Sequence, residues 1–118
     1  MMTSIVAAMM LTSAMAQQPA PAAPAGNAGT GKTLFMKTGC YQCHGSLGQG
    51  GAAGPRIAPG PMLAYRAFAT YLRSPRGEMP PYTAKVLSDQ QLADIYAYLA
   101  ALPPPPAVDT IPLLKLAP

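Results

Sequence analysis

Proline placement limits this chain more than any other feature. Of the 15 prolines in 118 residues, nine lie in positions 19–24 and 103–118, and six lie between positions 55 and 81. Proline fixes φ and removes a backbone donor, so neither end can sustain a long helix or a central strand. Before the first prolines, Ile5–Leu11 is an apolar run followed by Ala14-Met15-Ala16. That is the pattern of a cleaved export signal, here with only the terminal amine as its positive charge. The run is far shorter than the roughly 20 apolar residues of a bilayer span. Residues 1–16 are therefore expected to be removed, and the mature chain to be periplasmic without a membrane span. Residues 17–30 are uncharged and rich in Ala and Pro, as in a flexible linker. At the far end, 103–118 is a Pro-rich tail in which Pro103–Pro106 favours polyproline II. Its aliphatics Val108, Ile111, Leu113, Leu114 and Leu116 fit either a docking segment or one folded back on its own domain.

Residues 31–102 remain as a single domain, a size at which an apolar core usually needs a staple. Half of the whole chain is hydrophobic, but Trp is absent and Phe35 and Phe68 are the only Phe. A large aromatic core is excluded, so something else must fill the centre. The formal charge of +4 is mild. Its domain carriers, Lys32, Lys37, Arg56, Arg66, Arg73, Arg76 and Lys85, are spread along the sequence rather than clustered, which argues against nucleic acid as a partner.

The reactive inventory is two Cys and one His, and all three fall in Cys40-Tyr41-Gln42-Cys43-His44. This C-x-x-C-H spacing is that of covalent c-type haem attachment. Two thiols a helical turn apart can each add to a haem vinyl group, and the adjoining imidazole can then reach the iron. A thioredoxin-like motif would follow a strand and open a helix, whereas here a helical pattern precedes and a Gly-rich loop follows. A zinc site would need a fourth ligand, and a disulfide across so short a spacing is strained and leaves His44 unexplained. Among thioethers, Met36 lies one turn before the motif, and Met62 fits core packing. Met79 sits in Arg73-Ser74-Pro75-Arg76-Gly77-Glu78-Met79-Pro80-Pro81, where prolines can present its sulfur rigidly as the second axial ligand. Gly45–Gly54 lacks the Lys-Ser/Thr and preceding strand of a phosphate loop, and fits a loop along a haem edge.

Taken together, these segments resemble a class I c-type cytochrome, a small monohaem domain. Gly31-Lys32-Thr33-Leu34-Phe35 resembles its first helix, with Phe35 as the helix-crossing aromatic. Gly54-Pro55-Arg56-Ile57 is similar to the segment whose proline carbonyl accepts the proximal imidazole N–H. Arg73-x-Pro75 and Met79-Pro80 match the distal loop, and Asp94-Ile95-Tyr96-Ala97-Tyr98-Leu99 the last helix, with Tyr98 at its aromatic position. The resemblance implies an all-α cytochrome c fold, three to four short helices and loops around one covalent haem c. It implies Cys40 and Cys43 as attachment points, His44 and Met79 as iron ligands, and Pro55 as the partner that orients His44.

Patterning agrees. Ser88-Asp89-Gln90-Gln91 is a capping box, and Leu92, Ile95, Tyr96, Leu99 and Leu102 then recur at helical spacing until Pro103. Leu63, Ala64, Tyr65, Phe68, Tyr71 and Leu72 form a second amphipathic run, starting around Pro61. The first helix is expected over Gly31–Thr38, ending at Gly39. Tyr65, Phe68, Tyr71 and Tyr82 fit haem wall and ordinary core equally. Arg56 and Arg73 are candidates to pair with haem propionates.

The functional expectation is a periplasmic electron-transfer protein, not an enzyme. It would accept electrons from a redox protein partner, with two roles open: a diffusing carrier, or the cytochrome subunit of a periplasmic flavin- or quinone-dependent dehydrogenase. The alternative is a haem enzyme or gas sensor with an open sixth position.

Overall fold

The computed structural model describes residues 22–60, 62 and 64–114. The export signal, residues 17–21 of the linker, Pro61, Leu63 and 115–118 with Leu116 lie outside the described residues. Among those described there are four α-helices and no strand, as the all-α expectation requires. They are α1 (Ala28–Lys37), α2 (Cys40–His44), α3 (Tyr65–Arg73) and α4 (Asp89–Ala100).

α1 begins at Ala28 rather than at Gly31, inside the stretch read from sequence as linker. The cause is Asn27, whose side-chain oxygen accepts the Thr30 N–H at 2.9 Å and caps the helix. The residues before the cap are tied to α4. The Asn27 N–H donates to the Asp94 carboxylate at 2.8 Å, and the Gln90 amide donates to the Ala25 carbonyl at 2.9 Å. Ala28–Thr30 are thus helix, although their composition is that of a tether.

α1 and α4 form the main packing contact. They approach so closely at Gly31 that an added Cβ would lie 1.9 Å from the Asp94 carbonyl oxygen. Beside this crossing Phe35 is 1% exposed, and its ring lies 5.6 Å from that of Tyr98, tilted by 56°. The helix-crossing pair expected from Phe35 and Tyr98 is present. Leu87, Leu92, Ile95 and Leu99 complete the buried centre, each such side chain contributing about 1.5–3 kcal/mol by burial.

α4 opens with both halves of the expected capping box. The Gln91 N–H donates to Ser88 Oγ at 3.2 Å, and the Ser88 N–H donates to Gln91 Oε1 at 2.8 Å. It stops at Ala100, ahead of the prolines. α3 starts at Tyr65, later than the expected start around Pro61, because Ala64 is extended and offers no side-chain cap. Phe68 and Leu72 face the core while Tyr71 is exposed. The rings of Tyr65 and Phe68 both meet Tyr96 edge-on, each at 5.3 Å.

The described part of the tail has short 3-10 turns at Val108–Thr110 and Pro112–Leu114. These turns contact each other and none of α1–α4. Val108 is 67% and Leu113 96% exposed. Ile111 is half-buried, and the rest of the segment 111–116, for which folding back is one of the two readings, lies partly outside the described residues.

Candidate functional site

Gly39 ends the first helix and starts the motif. Its φ of +82° is the left-handed conformation that side-chain-bearing residues avoid, and it turns the chain from α1 into α2. The single short turn of α2 then displays its three reactive side chains in different environments. Cys40 and His44 are buried, each about 9% exposed, whereas Cys43 is exposed. Both cysteines are free thiols. The Cys40 Sγ lies 3.3 Å from the Thr38 hydroxyl and 4.0 Å from the Tyr82 hydroxyl.

The glycine-rich segment after α2 folds back on itself. The Gly50 N–H donates to the His44 carbonyl at 2.7 Å, and the N–H groups of Ile57 and Ala58 both donate to the Gly48 carbonyl. This return brings the Pro55 carbonyl to His44, whose Nδ1–H donates to it at 2.8 Å. A neutral imidazole with its proton fixed on Nδ1 leaves Nε2 as a free lone pair, the state a metal ligand needs. The Tyr98 hydroxyl donates to the Ser46 carbonyl at 2.8 Å, so the ring that packs on Phe35 also anchors this loop to α4.

Met79 is half-buried and packs against the same apolar cluster that contains Cys40, Phe68 and Tyr82. Met62 joins that cluster too, consistent with core packing, while Met36 is 38% exposed. Phe68 and Tyr82 are core residues, Tyr65 is half-buried, and Tyr71 faces solvent. Burial, and after it the neighbouring Cys40 thiol, pushes the Tyr82 phenol up to about 12. Tyr98 is likewise raised by burial.

Of the two arginines suggested for propionate pairing, Arg73 is committed elsewhere. Its guanidinium bonds the Tyr82 and Leu87 carbonyls and the Asp89 carboxylate. Sequence reasoning missed this because two of the three acceptors are main-chain oxygens, which carry no residue signature. Arg56 is exposed.

The residues present fit a haem. A buried imidazole with its free nitrogen defined by a main-chain hydrogen bond sits beside two free thiols, one in the core and one at the surface. That is what a flat group entering from the surface requires. α2 packs against α1 and α3 against α4, with no helix contact between α2 and α3. Among the described residues, no group of three or more His, Cys, Asp or Glu could hold a metal ion by itself.

The family model for cytochrome c oxidase, cbb3-type, subunit III matches residues 26–99. Comparisons with curated proteins and with solved structures give no match. The matched interval opens just before the Asn27 cap, takes in α1 to α3, and runs into the last turn of α4. The Phe35–Tyr98 crossing and the His44–Pro55 link therefore both fall within it, and the chain belongs to this family of c-type cytochrome domains, which carry one covalently bound haem c.

Proposed function

We propose that this protein is a periplasmic electron carrier in which His44 and Met79 occupy both axial positions of the iron. A haem-based electron-transfer role follows from the family itself. The observation that supports the ligand assignment is the His44 Nδ1–H to Pro55 carbonyl bond at 2.8 Å. It fixes the tautomer and orients the ring. Cys40 and Cys43 supply the two thiols for attachment. Met79 supplies a thioether from a proline-framed loop that packs on the Cys40 cluster. When bound, the haem supplies a one-electron couple, and a thioether ligand raises its potential.

Two filled axial positions leave no site for substrate at the iron. The Met79→Ala protein tests this directly. Loss of the sulfur-to-iron charge-transfer band in its oxidised spectrum is expected, and a band that persists overturns the assignment. Rapid carbon monoxide binding by the reduced wild-type protein at neutral pH would instead favour the open-site enzyme or sensor reading.

The partner we propose is a periplasmic flavin- or quinone-dependent dehydrogenase, met through the tail beyond Leu102. No helix of the described residues is long and apolar enough to cross a membrane. Within the tail, Val108 and Leu113 are exposed, and the described turns leave α1–α4 uncovered. Co-purification of such a dehydrogenase with the intact protein, and its loss on truncation after Leu102, is the expected result. Association that survives truncation removes the tail from the reading; co-purification with an oxidase complex instead replaces the dehydrogenase. N-terminal sequencing of the exported protein is expected to start near Gln17.

A further inference from the structure

Arg73 closes α3, and its guanidinium reaches three acceptors, one at Tyr82 and two in the stretch from Leu87 to Asp89. One terminal nitrogen donates to the Tyr82 carbonyl at 2.7 Å and to the Leu87 carbonyl at 2.6 Å. The other meets the Asp89 carboxylate. Tyr82 ends the loop that carries Met79, Leu87 precedes the Ser88 cap, and Asp89 opens α4. The Tyr82 N–H, in turn, donates to the Leu72 carbonyl at 2.8 Å. Both main-chain polar groups of Tyr82 are thus bonded to the last two residues of α3. The intervening segment 74–81 is closed at its base, and within it the Tyr71 hydroxyl reaches the Arg76 carbonyl at 3.5 Å.

We propose that Arg73 is the positioning residue for Met79. It acts through Tyr82, holding the loop closed so that the thioether stays available to the iron. The proposal rests on the reading of Met79 as an axial ligand. A planar fork of donors can hold three acceptors together, whereas a lysine ammonium is a single point with no such fork. Asp89 is 89% exposed at its side chain, so its ion pair contributes less than the two carbonyl bonds.

The test is competition at the iron by imidazole, added to the oxidised holoprotein. Imidazole binds when the Met79 loop opens, so its apparent affinity follows the open fraction. Arg73→Gln is expected to raise that affinity by about tenfold or more, Arg73→Lys by less, and Asp89→Ala by roughly threefold. Hydrogen exchange of the Tyr82 N–H, which needs no iron signal, is expected to speed up in the same order. Wild-type imidazole affinity and wild-type Tyr82 exchange in Arg73→Gln would overturn the proposal. Should Arg73→Gln fail to fold, wild-type affinity and wild-type Tyr82 exchange in Arg73→Lys decide against it, because the lysine removes the fork that joins the Tyr82 and Leu87 carbonyls. If instead Met79→Ala keeps its sulfur-to-iron band, the ligand reading fails. Faster Tyr82 exchange in Arg73→Gln would then show Arg73 as a loop anchor only, which overturns its positioning role.

Discussion

The α1/α4 crossing and the two segments that hold His44 and Met79 are built on different physics. At the crossing, backbone meets backbone at Gly31 and a buried Phe35 packs on Tyr98, so shape and apolar burial hold the pair. The loops around His44 and Met79 have little regular structure and hang on a few polar links: His44 to Pro55, Tyr98 to Ser46, and Arg73 to Tyr82. The crossing is complete in protein atoms alone. The polar links fix the His44 ring orientation and close the Met79 loop at its base. Apolar burial is thereby concentrated in one helix pair, while the polar links gather around His44 and Met79.

That contrast is open to direct attack. The largest effect is expected from Phe35→Ala, which empties the centre of the crossing and should cost about 3–5 kcal/mol in denaturant unfolding. A loss under about 1 kcal/mol would show that the crossing is not the seat of stability. Next is Gly31→Ala, because its Cβ would meet the Asp94 carbonyl and α1 must move; about 2–3 kcal/mol is expected by thermal unfolding. An unchanged melting temperature would mean that the helices can separate freely.

The third test uses pH. Tyr82 is raised to about 12 by burial and then by Cys40. In the unfolded chain the phenol ionises near 10 while the folded protein still holds its proton. The stability it contributes is therefore complete below pH 10 and lost as pH rises toward 12. Tyrosinate absorbance followed against pH in wild type and Tyr82→Phe checks this: the difference between the two curves is expected to titrate near 12, and a difference centred near 10 would refute it. The smallest effect is Tyr98→Phe, which keeps the Phe35 contact but deletes the bond to Ser46, for about 1 kcal/mol. It should loosen the haem-side loop, seen as faster exchange of the Gly50 N–H, with little effect on α1.

What could be read in advance follows the same division. The capping box of α4, the Phe35 and Tyr98 positions and the C-x-x-C-H turn all announce themselves through side chains at short fixed spacings. The early start of α1 does not, because Asn27 lies in an Ala- and Gly-rich stretch and its bond to Asp94 spans 67 positions. Tyr71 sits at helical spacing with Phe68 yet points outward, since a phenol can satisfy itself on the Arg76 carbonyl at the surface. The work of Arg73 is invisible for a related reason: main-chain acceptors look alike in every sequence.

The nine prolines at the two ends confine long regular structure to the middle of the chain. The sequence alone thus determined the helical class and the haem chemistry of the C-x-x-C-H motif, because capping and thiol spacing are local properties. Only the tertiary structure decided which carbonyl orients His44, that Arg73 is tied to the Met79 loop and α4, and that α1 starts at Asn27's cap. Those choices depend on main-chain atoms brought together across long separations, where residue identity carries no signal and only the folded path determines who meets whom.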